Sequence, residues 1–211
     1  MSEFITTLEA FAAARLATIV AAGADATQGD LRKLLEVALA NEVAVAELAA
    51  AWVPTTTELD VKLAFARQAG DEAGHFQLVA ERLVAHGFVL DDYRVPTPNP
   101  LFQYLASLTT TLERVAAGLF TLELIAYGVN ENFMAFCRAH DDAETVRLYE
   151  TIIQPEERAH HELGKRLLGK YATTPALEAH ARTIVERVLA LASTTRAAAA
   201  TRLGVACFPG C

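Results

Sequence analysis

Along most of this chain apolar residues recur every three or four positions, the period of a helix that buries one face, and glycine, proline and short polar runs cut the pattern into segments. The spacing predicts helices over about 4–22, 31–52, 58–86, 101–138, 142–171 and 175–203. In the first, Phe4, Leu8, Phe11, Leu16 and Val20 form the apolar side, Gly23 to Gly29 end it, and Asp30 is placed to cap the second. The next stripes are interrupted by acid. Glu42 falls among Leu35, Leu39, Val45, Ala46 and Ala49, and Glu72 among Phe65, Ala69, Phe76, Val79 and Leu83, with His75 alongside. Glu123 shares a face with Leu112, Val115, Ala116, Leu119 and Met134, with Tyr127 one turn beyond. A carboxylate on a core-facing stripe is costly unless something pairs with it.

The connections set the topology. Residues 53–57 and 139–142 only turn the chain, whereas 87–100 carries Pro96, Pro98 and Pro100 and cannot be an ordinary helix. Its fourteen residues can reach roughly 46 Å, about the length of a 30-residue helix. Two antiparallel helix pairs joined by one long crossover follow: an all-α four-helix bundle at about 31–171, with flanking helices at 4–22 and 175–203, in one domain over 1–211. Pro155 frees the carbonyl of Thr151 and should kink or widen its helix. The chain closes on Cys207-Phe-Pro-Gly-Cys211, where Pro209-Gly210 signals a turn. This pentapeptide reads as a frayed tail, with a redox pair of cysteines as the alternative.

Chemistry enters with the pattern Glu-x-x-His, found at Glu72/His75 and Glu157/His160. Three residues are nearly one helical turn, so each pair projects from one face and can hold one metal ion. With 18 glutamates and six histidines, chance supplies roughly 0.5 such matches. Two matches on buried faces, with Glu42 and Glu123 on partner helices, make the ligand set of a dinuclear centre in a helix bundle. Glu123 is preferred to Glu131 because Glu123 and Glu157 each lie about 15 residues from their shared turn, while Glu131 sits roughly 12 Å too near it. Glu36 matches Glu72 better in height than Glu42 does, but lies on a more polar stripe with Arg32 and Glu47, so Glu42 is kept. Four carboxylates and two imidazoles suit two ions of iron, of manganese, or one of each, which would balance the acid charge. Structural zinc would more often use cysteine. Each ion would take one histidine and one terminal glutamate, and two glutamates would bridge.

The set Glu42, Glu72-x-x-His75, Glu123 and Glu157-x-x-His160 resembles the ferritin-like diiron-carboxylate superfamily over about residues 31–171. Its size and its Asp-Glu-x-x-His form look most like small bacterial oxygenase-type members, such as the catalytic subunit of phenylacetyl-CoA oxygenase and the tRNA-hydroxylase-like proteins. The resemblance implies that Asp71 and Glu156, just ahead of the motif glutamates, orient the ligand histidines by hydrogen bonds. It implies activation of dioxygen by a reduced diiron centre, with hydroxylation or oxidation of a small organic substrate and electrons from a reductase. A metal-storage protein, or a structural subunit of an oxygenase assembly, is the alternative. Phe76, Leu119, Phe120 and Ile153 would line a substrate pocket or form plain core; Tyr127 would be a redox residue or an ordinary core aromatic. His161 is read as an outer-layer or surface histidine, and His86, His140 and His180 as solvated.

Composition narrows the field. With 211 residues, 53% of them hydrophobic, the chain can bury a large core, and a net charge of -8 argues against a main role in gripping nucleic acid. Three cysteines make no disulfide framework, the N-terminus is acidic rather than basic, and no uncharged apolar run reaches the ~18 residues of a membrane span. A cytoplasmic protein without a membrane partner, working as a homodimer, is expected.

Overall fold

A computed structural model describes residues 2–24 and 29–210; Cys211 lies outside them. Among the described residues the chain is all-helical, with no strand. Seven helices succeed one another: α1 (Glu3–Ala21), α2 (Leu31–Trp52), α3 (Leu59–Ala85), the short α4 (Pro100–Ala106), α5 (111–139), α6 (143–171) and α7 (Pro175–Leu203). Local chemistry starts several of them. The side chains of Ser2, Asp30, Asn99, Thr110, Asp142 and Thr174 each accept a hydrogen bond from a first-turn backbone N–H.

Two expectations are corrected. The helix expected over 101–138 is broken: α4 stops at Ala106, and α5 restarts at Thr111. Thr110 accepts from the Glu113 N–H while the Glu113 carboxylate accepts from the Thr110 N–H, so a polar Ser-Leu-Thr-Thr run prefers a capping box to a continued helix. In α1 the buried stripe is Ile5, Leu8, Ala12, Leu16 and Ile19. Phe4, Phe11 and Val20 flank it half-buried, and Phe11 lies against Arg15 and Arg182 instead. By length and composition α1 is apolar enough to cross a membrane. In this fold its stripe packs on α5, α6 and α7, and Glu9 accepts a hydrogen bond from Lys165 at 2.6 Å.

Side-chain pairs fix the directions. Asp71 meets His160, His75 meets Glu156, and Arg82 meets Asp142, so α3 ascends as α6 descends. Short turns make α2 antiparallel to α3 and α5 antiparallel to α6, hence α3 and α5 run the same way. The chain must therefore travel back the length of the bundle between them. It does so beside α2: Phe88 lies against Arg32, Tyr93 against Phe76 of α3, and α4 reaches α2 further along.

The interior divides into two apolar clusters. One holds Val45, Phe65, Leu122 and Leu167 with α1 and α7, and the other holds Leu39, Val79, Phe133, Tyr149 and Ile153. Each of α2, α3, α5 and α6 contributes to both clusters, and each carries a buried glutamate on its core face: Glu42, Glu72, Glu123 and Glu157.

Candidate metal centre

The six expected ligand residues converge in one layer, none more than 5% exposed. Glu42, Glu72, His75 and Glu157 each bring one ligand atom to within 4.8 Å of the others, and Glu72, Glu123, Glu157 and His160 do the same. Glu72 and Glu157 belong to both groups. The His75 Nδ1 is 3.4 Å from an oxygen of Glu42 and 3.4 Å from Glu72 Oε2; the His160 Nδ1 is 3.5 Å from Glu72 Oε1 and 3.6 Å from Glu123. The rivals lie elsewhere: Glu36 is half-exposed beside Arg32, and Glu131 is exposed and accepts from Gln154.

The imidazoles are held from behind. The Nε2–H of His160 donates to Asp71 at 2.9 Å and that of His75 to Glu156 at 2.7 Å. The pairing is crossed: the acid preceding each motif glutamate orients the histidine of the other motif, because α3 and α6 are antiparallel at one level. With Nε2 engaged, both Nδ1 atoms face the carboxylates. A further residue that the motif pattern did not identify, the buried Gln68, donates to Glu123. Gln68 lies four positions before Glu72 on the same buried face, a spacing at which a polar residue stands out.

The donor set fits divalent cations. The Nδ1 atoms of His75 and His160, Glu72 Oε1 and Glu157 Oε2 are buried without hydrogen-bond partners, and four orphaned lone-pair atoms in one layer are what bound metal would satisfy. Without metal the layer holds protons in their place. Burial alone would lower the two histidines, but the carboxylates beside them win: Glu42 and Glu72 raise His75 to about 11, and Glu123 and Glu72 raise His160 to about 11. Burial raises Glu42 to about 8, and burial with the charges of Glu123 and Glu72 pushes Glu157 well above the carboxylate range. Burial opposes ionisation of Glu72 too, yet the imidazoles of His160 and His75 facing it lower it to about 2. Of the two glutamates common to both groups, Glu72 stays ionised and Glu157 holds its proton.

Helix distortion shapes the layer. In α6, Tyr149–Ile153 is π-helical just ahead of Gln154-Pro155, so the helix is widened beside the proline. A second π segment, Ala116–Leu122 in α5, has no proline to announce it. It packs on α6 at Gly164, where an added Cβ would lie 2.6 Å from the backbone of Leu119 and Phe120. There the Phe120 carbonyl accepts from His161 Nδ1 at 2.7 Å. His161 is thus a buried brace between α5 and α6, not a surface residue, and its burial lowers its pKa. Leu119, Phe120 and Ile153 are fully buried core, and Phe76 is half-buried against Tyr93. His86, His140 and His180 are exposed, as expected.

The tyrosine beside the cluster is Tyr149. It is fully buried, its hydroxyl has no partner, and burial with the charge of Glu42 and, more weakly, Glu157 raises its pKa. Tyr127 is half-buried and is not among the residues that line the cavity. That cavity, of about 10 Å³, is lined by the four glutamates, Asn41, Val45, Leu122, Ala126 and Gly210. Gly210 places the final segment at the site, so the expected frayed tail is instead buried over Val205 and 207–210, with Ala206 half-buried.

Comparison with protein-family models, with curated proteins and with solved structures gave no match.

Proposed function

We propose that this protein is a dinuclear metal enzyme of the ferritin-like type, a non-haem diiron oxygenase or oxidase acting on a small organic substrate. One observation carries the reading: two groups, each of three glutamates and one histidine, share Glu72 and Glu157 in one buried layer, with both histidine Nδ1 atoms unpartnered and turned inward. The antiparallel pairs and the long return between them have the connectivity of that fold type. Glu42 and His75 would hold one ion, Glu123 and His160 the other, and Glu72 and Glu157 both. Bound in reduced form, iron would supply the electrons and the open coordination positions on which dioxygen is activated; manganese fits the same ligands.

The chain's own groups do the rest. Asp71 and Glu156 accept hydrogen bonds from the Nε2–H groups and keep both Nδ1 atoms facing the carboxylates, where a metal would displace their protons. Glu157 and Glu42, protonated in the empty site, would release their protons as the layer fills. The apolar clusters above and below keep bulk water out of the layer. Catalytic turnover would need an external reductase, and a cytoplasmic homodimer belongs to the same proposal.

A second reading, metal storage or a structural subunit of an oxygenase assembly, is favoured by the cavity's size. About 10 Å³ is water-sized, too small for an organic substrate unless something moves. Metal analysis of protein produced with iron should find two ions per chain. Exposing the reduced, loaded protein to oxygen should then consume dioxygen and change its absorbance. Full loading without oxygen consumption supports storage, and metal content near zero overturns both readings.

A further inference from the structure

Gly204, left-handed at φ 72°, ends α7 and turns the chain back on the bundle. Cys207, Phe208, Pro209 and Gly210 then lie buried, with no regular secondary structure. Among the described residues, Asn41, Asn130 and Arg196 hold them by hydrogen bonds. Asn41, the neighbour of Glu42, donates to the Pro209 carbonyl at 2.9 Å, and the Gly210 N–H donates to Asn130 at 2.9 Å. Arg196 donates to the carbonyls of Phe208 and Gly210 at 2.6 Å each and lies 4.2 Å above the Phe208 ring.

Every other residue lining the carboxylate cavity stands on α2, α3, α5 or α6. To part those helices would open both apolar clusters, whereas lifting 207–210 disturbs only the second, to which Cys207 and Phe208 belong. Local opening takes the cheapest route. Gly210 is closely fitted: its φ is +72°, and a Cβ there would meet Asn41 Nδ2 at 2.4 Å, so a larger residue at this position should unseat the segment.

We propose that Cys207–Gly210 is a displaceable plug, and that the wall it forms is the route by which metal ions and small ligands reach the four carboxylates. This rests on the metal reading above. With the plug seated, the cavity holds nothing larger than an ion or a water; lifted, it opens between Asn41, Val45 and Ala126.

Two readouts test it in a Cys211→Ser background, where Cys207 and Cys137 are the remaining thiols, both buried. The first is the rate at which a chromogenic disulfide labels Cys207 in the metal-free protein. The second is the rate at which Co(II) alone fills the metal-free site, followed by its visible absorbance. Gly210→Ala should speed both by about tenfold or more, as expected when local opening limits exposure, with the same two Co(II) bound at the end. Arg196→Ala, checked for an unchanged helical spectrum, should do likewise. Faster labelling with unchanged Co(II) filling would overturn the proposal, since the segment would move without gating. Unchanged labelling in both variants would also overturn it. If Co(II) is bound fully and equally fast by parent and variants, the plug alone fails; if none is bound by any, the metal reading fails and the plug with it.

Discussion

Glu72 and Glu157 have the same residue type, the same burial and the same proposed role, and they should behave oppositely when metal is absent. Glu72 is ionised between two imidazoliums, and Glu157 is protonated against other acids. Glu72→Gln should therefore destabilise the metal-free protein by about 3–5 kcal/mol, because two buried cations lose their shared partner. Glu157→Gln, which mimics the protonated acid, should leave the metal-free melting temperature unchanged or raise it. Both should lose metal. Thermal melts with metal analysis check this, and a Glu72→Gln protein that melts higher would reverse the assignment. The crossed pairing makes a second prediction. Asp71→Asn should weaken the ion beside His160, and Glu156→Gln the ion beside His75, each by about 10–100-fold. Stepwise Co(II) titration would show one tight and one weak site in each variant; equal weakening of both ions would contradict it.

The π segments of α5 and α6 explain why some residues were legible and others not. Glu157 and His160 lie beyond the widened turn of α6, on regular helix, so counting by threes and fours placed them. Tyr149 lies at its start, eight residues before Glu157, where a regular helix would turn it well away from that face. The extra residue of a π turn brings it round. The α5 segment is packed by its neighbour: Gly164 admits the backbone of Leu119 and Phe120, and His161 takes the Phe120 carbonyl. Gly164→Ala should cost about 1–3 kcal/mol or more, since the obstructing atoms are backbone and cannot rotate aside. At about 2–4 °C per kcal/mol this is visible in a melt, with metal affinity falling as Glu123 is displaced. A variant as stable as the parent would show that the helices can part there without cost.

Across the whole molecule the carboxylate layer sets how stability depends on pH. His75 and His160 at about 11 and Glu42 at about 8 bind protons in the folded chain that the unfolded chain has lost, so each contributes stability that drains away as pH rises towards those values. Glu157 acts in the same direction; His161, lowered by burial, acts in the opposite one, and Glu72 matters only as pH falls towards 2. The metal-free protein should melt several degrees lower at pH 8.5 than at pH 5.5. Metal competes for the same atoms, so the stabilisation gained on loading should grow over that range. Melts at both pH values, with and without Co(II), check the sign. A metal-free protein more stable at pH 8.5 would mean that the protons are not where this layer holds them.

By itself the sequence determined what is periodic or local: the helices, the caps, the length of the crossover, and which glutamates and histidines share a buried face. Helical spacing and side-chain capping depend on neighbours in the chain, and both are written there. Tertiary structure decided what depends on contact between distant segments. The break at Ser107–Thr110 is written locally too, as a capping box, but apolar spacing on either side of it masks it. Which acid orients which histidine followed from antiparallel packing, and the close approach of α5 to α6 from the space that Gly164 leaves for the backbone of Leu119 and Phe120. The segment Cys207–Gly210 reads as a tail because what holds it is not its immediate neighbours: Arg196 on α7 does, and so do Asn41 and Asn130, 168 and 80 residues away from their partners.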